Sequence, residues 1–356
     1  VKILQVMAGA AHGGAETAFV DMCIALHEAG EELEIVTRRN PAREARLRAA
    51  GLTVHVLPFG GAFDIFTPLR MKKIIRAFKP HIVQTWMSRA AQKTPRWSSS
   101  DGIPRYIVVS RLGGYYKSSH FGQTDYYSTI TPDICRHLID SGIPEQKIRH
   151  INNFAELEEP GPVVCRRDLA TPDDAKVLLA LGRLHSSKAF DVLMRAVADV
   201  PGVYLWIAGE GPDRAALETE RTRLGLDDRV RFLGWRDDRA SLFAAADICV
   251  FPSRYEPFGT VFVQAWAQRV PLVTTSSDGP RQYVRDGEDG LMVPVDDAVA
   301  LAGAIRRLVE DPDLCHRLTE KGYARYQAEF TKSQTVSEYL DYYHDMLRRE
   351  GLTTIL

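Results

Sequence analysis

Across 356 residues the chain holds only five cysteines: Cys23, Cys135, Cys165, Cys249 and Cys315. None stands at a spacing that would hold a metal. Cys23 and Cys249 fall inside apolar periodic segments and read as core residues. This usage, with no signal peptide ahead of the first strand, sets the expectation of a reduced, cytoplasmic setting. Long hydrophobic runs are missing too, and nothing approaches the ~18 apolar residues of a spanning helix. Net charge is nearly absent, −1 from 45 Lys and Arg against 46 Asp and Glu. No global field draws nucleic acid, so no nucleic-acid partner is expected, and attraction to anionic surfaces must be local. What is present is a globular balance of 45% apolar and 26% charged residues, in a chain long enough for two domains.

Strand and helix patterns alternate from end to end. Val1–Met7 is an apolar strand, and Ala8–Gly14 a loop of small residues. Glu16–Ala29 is amphipathic, with Phe19, Met22, Cys23 and Leu26 on one stripe. Strands follow at Leu33–Thr37, Thr53–Leu57, Ile82–Trp86, Tyr106–Ser110 and Tyr126–Ile130. Thr131-Pro132 starts a helix that Ser141-Gly142 ends. Asn152–Asp173 has no period and reads as an interdomain linker plus a domain start. The alternation then restarts at Val177–Leu181. The fold class this predicts is α/β, with two doubly wound Rossmann-like domains facing across a cleft. The cleft is the default site.

Two segments carry the chemistry. Val177-Leu-Leu-Ala-Leu-Gly-Arg-Leu-His-Ser-Ser-Lys188 is a strand, a Gly turn and two cations, Arg183 and Lys188. Ile248-Cys-Val-Phe-Pro-Ser-Arg-Tyr-Glu-Pro-Phe-Gly-Thr260 is a buried strand and a loop with Glu256 and Gly259, leading into a helix. A loop entering a helix presents free N–H groups and the positive end of the macrodipole. With cations opposite, that is a diphosphate site. Glu256 does not suit phosphate; a carboxylate accepts hydrogen bonds and suits sugar hydroxyls. The combination suggests a nucleotide-sugar. The plain alternatives are surface cations for Arg183 and Lys188 and a macrodipole-favoured acid for Glu256.

Seven pieces, in order and spacing, resemble the retaining glycosyltransferases of the GT-B fold, family 4. They are Gly13-Gly14-Ala-Glu16, Gly182-Arg183…Lys188, Gly209-Glu-Gly-Pro212, Val230-Arg-Phe-Leu-Gly234, Ala246-Asp247, Pro252-Ser253…Glu256-Pro-Phe-Gly259 and Asp286-Gly-Glu-Asp-Gly290. The resemblance implies an acceptor-side domain over 1–155 and a nucleotide-sugar domain over 165–330. It implies a helix in 331–356 that crosses back to the first domain. Arg183, Lys188 and Glu256 would be catalytic. Donor binding would add Gly13, Gly14, Phe258, Gly259 and Thr260, with Gln264 on the ribose. No metal and no cofactor are expected. The partners implied are a nucleotide-diphosphate-sugar donor and a glycan or glycolipid acceptor.

Two departures stand out. Where the family has a second Glu, this chain has Gln264, which a packed core amide explains as well as ribose binding does. The family also tends to carry a His after a first-domain strand; here Arg111 would take part of that role. Tyr115 and Tyr116 are candidates for an acceptor sugar, against plain loop packing. Arg111-Leu-Gly-Gly-Tyr-Tyr116 and Gln84-Thr-Trp-Met87 look similar to lipopolysaccharide-assembly enzymes, which points to a bacterial surface glycan. Helix Leu69–Phe78 has an apolar stripe with four cations; a solvated face is favoured over a peripheral contact with the inner membrane. Two other functions stay open: a nucleotide-sugar epimerase on the same fold, and a catalytically weak nucleotide-sugar-binding protein.

Overall fold

The computed structural model describes residues 1–10, 13–61, 63–157, 159, 161–162 and 164–352. Ala11 and His12 of the expected loop lie outside the described residues, as do Glu158, Pro160 and Val163 of the expected linker. The chain divides into two compact units, Val1–Asn153 with Lys332–Leu356, and Phe154–Thr331.

The first unit is built on seven parallel strands: β1 Lys2–Met7, β2 Glu32–Thr37, β3 Thr53–Val56, β4 Ile82–Trp86, β5 Ile107–Leu112, β6 Tyr126–Thr129 and β7 Ile148–His150, in the order β3-β2-β1-β4-β5-β6-β7. Ile3, Leu4, Val6 and Met7 are all buried, as a central parallel strand covered on both faces requires. Helix Gly14–Glu28 buries Phe19, Met22, Cys23 and Leu26. Two elements escape the sequence pattern. β7 is an edge strand of three residues and is nowhere fully buried. Helix Met87–Lys93 has no side-chain cap and buries only Ala90 and Ala91. The C-terminal helix Lys332–Arg349 belongs to this unit. Its Tyr342 hydroxyl donates to the Tyr127 carbonyl at 2.9 Å, and Tyr343 bonds Gln84.

The second unit has six parallel strands: β8 Lys176–Leu181, β9 Val203–Ala208, β10 Val230–Gly234, β11 Ile248–Phe251, β12 Leu272–Thr275 and β13 Leu291–Val293, in the order β10-β9-β8-β11-β12-β13. Leu178, Leu193, Val250 and Ile305 share its core; each buried side chain of this size contributes about 1.5–3 kcal/mol. Strand order reverses between β1 and β4, and again between β8 and β11. Loops diverge at such a point and open a crevice at the carboxyl ends of the strands. Among the described residues no helix is long and apolar enough to cross a membrane.

Candidate active site

The second unit brings its expected site residues to the crevice between β8 and β11. After β8, the Gly182 N–H donates to the Ala208 carbonyl at 3.1 Å and the Leu184 N–H to the Glu210 carbonyl at 3.0 Å. The loops after β8 and β9 therefore run side by side. A Cβ at Gly209, where φ is +154°, would overlap the Gly182 carbonyl, so this close approach needs glycine. The chain then makes a short helical turn at Ser186–Lys188. The Lys188 stem folds back over Gly182, 3.6 Å from where a Cβ would stand.

Lys188 Nζ donates to Glu256 Oε2, and the two side chains are only 21% and 17% exposed. The ammonium also lies 5.7 Å from the centre of the Phe251 ring. Glu256 is held from its own backbone: the Gly279 N–H donates to its carbonyl at 2.7 Å. Gly259 caps helix Thr260–Ala267 with φ +97°. A Cβ there would stand 2.7 Å from the Phe251 ring and 3.2 Å from Glu256 Cγ. Backbone conformation and space both demand glycine. The Thr260 and Val261 N–H groups open this helix with no intrahelical acceptor by position, while the Phe262 N–H already donates to the Gly259 carbonyl at 3.1 Å; the free pair carries the positive end of the helix dipole. Phe258 is buried among Phe262, Tyr283 and Phe330, so only its backbone is available to a ligand. Gln264 is half-buried on the same helix, and its amide has no partner among the described residues. Arg183 is exposed, with no hydrogen bond or ion pair among the described residues.

Sequence reasoning missed the device that joins the two segments. Arg254 donates to both Asp191 oxygens, at 3.0 and 2.8 Å, and to the Ser186 carbonyl at 2.6 Å. It also pairs with Asp296. Its own N–H donates to the Ser187 carbonyl at 2.8 Å. Hydrogen bonding to Asp191 pushes the Arg254 pKa up. Burial raises the Asp191 pKa, but the Arg254 bonds outweigh it and hold the carboxyl below its ordinary value. The one available signal was Arg254 inside the Ser253-Arg-Tyr-Glu256 segment; nothing marked Asp191.

The remaining candidates belong to the first unit. Gly13 is extended and caps helix Gly14–Glu28, and the Glu16 carboxylate turns back to accept from the Ala10 N–H at 2.7 Å. Gly14 is open to solvent. Arg111 departs from the sugar-facing role expected of it. The β4–β5 register sets it opposite Trp86, and its guanidinium lies 3.9 Å from the Trp86 ring centre. It bonds Asn153 and Tyr339 and is 2% exposed. Burial lowers its pKa. Tyr115 is partly exposed, edge-on to His137, and Tyr116 packs toward Phe121.

The profile described as Glycosyl transferases group 1 matches residues 165–325, and that described as Glycosyltransferase Family 4 matches residues 12–159. Among curated proteins, the chain is 38% identical over 92% of its length to the lipopolysaccharide core biosynthesis glycosyltransferase LpsE of Rhizobium meliloti (strain 1021), covering 95% of that protein. It is 35% identical over 96% of its length to LpsD of the same organism, covering 97% of it. Among solved structures, Anabaena Alr3699/HepE in complex with UDP and glucose superposes with a TM-score of 0.82 at 21% identity, over 96% of this chain and 98% of that one. That last likeness carries the fold, two Rossmann-like units of the GT-B kind. The protein is thus a glycosyltransferase, an enzyme that moves the sugar of a nucleotide-sugar donor onto a glycan acceptor and releases the nucleotide. It belongs to glycosyltransferase family 4.

Proposed function

We propose that the chain is a retaining glycosyltransferase of bacterial lipopolysaccharide core or related surface-glycan assembly, working on the cytoplasmic side of the inner membrane. The observation that carries the reading is the Lys188–Glu256 pair at the crevice between β8 and β11. It sets a cation and a hydroxyl-reading carboxylate against a helix N-terminus in one place. As the bond from the anomeric carbon to the diphosphate breaks, negative charge grows on the leaving group. Arg183, Lys188 and the N–H groups of Gly259 and Thr260 would face that charge, already oriented. Glu256 would hold the hydroxyls of the departing sugar, and Gln264 the ribose. Gly13 and Gly14 would let the backbone approach the donor. No metal and no cofactor has a part in this reading. The relatives named for lipopolysaccharide core biosynthesis support the acceptor class, a glycan or glycolipid.

A melting panel with UDP, GDP and ADP tests the donor half. One nucleotide should stabilise the protein by about 2.7 kcal/mol at a hundred times its Kd, by mass action. Lys188→Ala should abolish most of that shift. Stabilisation by none of the three, or a shift untouched by Lys188→Ala, would sink the assignment.

A further inference from the structure

Ten large apolar side chains are exposed among the described residues, and four of them lie within seven positions of the first unit. Phe63 is 97% exposed, Ile65 and Phe66 are each 64%, and Leu69 is 58%. The other six are scattered along the chain. The tip that carries the four is held firmly. The Asp64 carboxylate accepts from the N–H groups of Gly60 at 2.7 Å, Phe66 at 3.1 Å and Thr67 at 3.0 Å. Buried Thr67 accepts from the Phe59 N–H at 3.0 Å, and Lys93 donates to the Asp64 carbonyl at 2.8 Å. Polar contacts at the base thus hold an apolar tip in water. That arrangement is unfavourable unless something covers it.

Charge indicates what covers it. Helix Phe66–Phe78 buries Thr67, Met71, Ile75 and Phe78. Phe66, Leu69, Arg70, Lys73 and Arg76 lie on its exposed side, and no acid occurs from Phe66 to Lys79. The apolar end of the helix leads and a cationic stem follows. A second copy of this chain fits poorly, because a two-fold contact would oppose cation to cation.

We propose that this tip and helix form the face by which the enzyme lies on an anionic lipid bilayer. Phe63, Ile65, Phe66 and Leu69 enter the boundary of the apolar layer, while Arg70, Lys73 and Arg76 meet headgroup phosphates. The inference deepens the reading of a lipid-borne acceptor and rests on it for its use, but lipid binding is measured without sugar transfer.

The test is flotation of the full chain with vesicles of phosphatidylcholine, with and without phosphatidylglycerol. The wild type should float with the anionic vesicles, less so as salt rises. Phe63→Ser with Phe66→Ser, and separately Arg70→Glu with Lys73→Glu, should each lower partitioning by on the order of tenfold or more. Their melting points and nucleotide-induced shifts should match the wild type. Failure of the wild type to float, or variants that float equally well, overturns the proposal. So does a wild-type dimer that the serine variant returns to monomer, since the patch then serves self-association. A vesicle-binding protein with no nucleotide shift would instead count against the donor site alone.

Discussion

The Arg254 guanidinium meets both carboxylate oxygens of Asp191, at 3.0 and 2.8 Å. The pair joins the loop that carries Glu256 to the helix that follows Lys188. The Lys188–Glu256 ion pair therefore does not rest on its two flexible side chains alone. Its two backbones are tied by a planar, two-pronged contact that resists rotation.

Arg254→Met should loosen that tie without touching the donor. The expected result is a higher KM for the nucleotide-sugar, with kcat/KM lower by on the order of tenfold, the worth of one charged hydrogen bond. Arg254→Lys keeps the charge but loses the fork, and should recover only part of the loss. Steady-state kinetics of the three proteins decide it; equal KM values would mean the clamp is only structural.

Asp191 makes the same contact sensitive to acid. Its folded pKa lies below its ordinary value. Its stabilising contribution is therefore complete above the unfolded Asp pKa of about 3.9, and is lost as pH falls through the depressed folded value. Melting curves from neutral pH into this acid range should fall more steeply for the wild type than for Asp191→Asn. Parallel curves would show that the pair adds nothing to stability.

Lys188→Ala should slow transfer far more than Asp173→Ala, an exposed change before the amino end of β8. Loss of a charge-assisted phosphate contact raises the barrier by about 2–4 kcal/mol. The half-buried Glu256 also loses its cation. Turnover at saturating donor measures the difference, and a Lys188→Ala enzyme as fast as the wild type would remove the centre of the site.

Gln264→Glu should preserve or tighten nucleotide binding. The Gln264 side chain is half-buried and has no partner among the described residues, so the change breaks no bond seen there. An ionised carboxylate accepts ribose hydroxyls more strongly than an amide does. Nucleotide titration and a melting curve read both sides. Weaker binding together with a lowered melting point would show a residue that only packs.

Much of this protein was legible from its residues alone. β8 and β11 announce themselves as unbroken apolar runs, because a strand covered on both faces has no polar side to show. Gly259 stood out as a glycine in a loop entering a helix, and Glu256 as a carboxylate that suits sugar hydroxyls in a segment otherwise fitted to phosphate. Such signals are local, and a few neighbouring residues contain them. β7 and helix Met87–Lys93 were lost for the converse reason, being too short or too weakly capped to leave a period.

What only the tertiary structure decided is which distant groups meet and which faces stay uncovered. Arg254 and Asp191 are 63 positions apart, and no pattern in either neighbourhood names the other. Arg111 looked like a cation for a sugar until the β4–β5 register turned it onto Trp86 beneath the C-terminal helix. Phe63 and Phe59 are the same residue type four positions apart, yet one is 97% exposed and the other fully buried. Periodicity tells where an apolar side chain belongs only when a neighbouring element exists to cover it. That neighbour is supplied by the assembled sheet and helices, not by the segment itself.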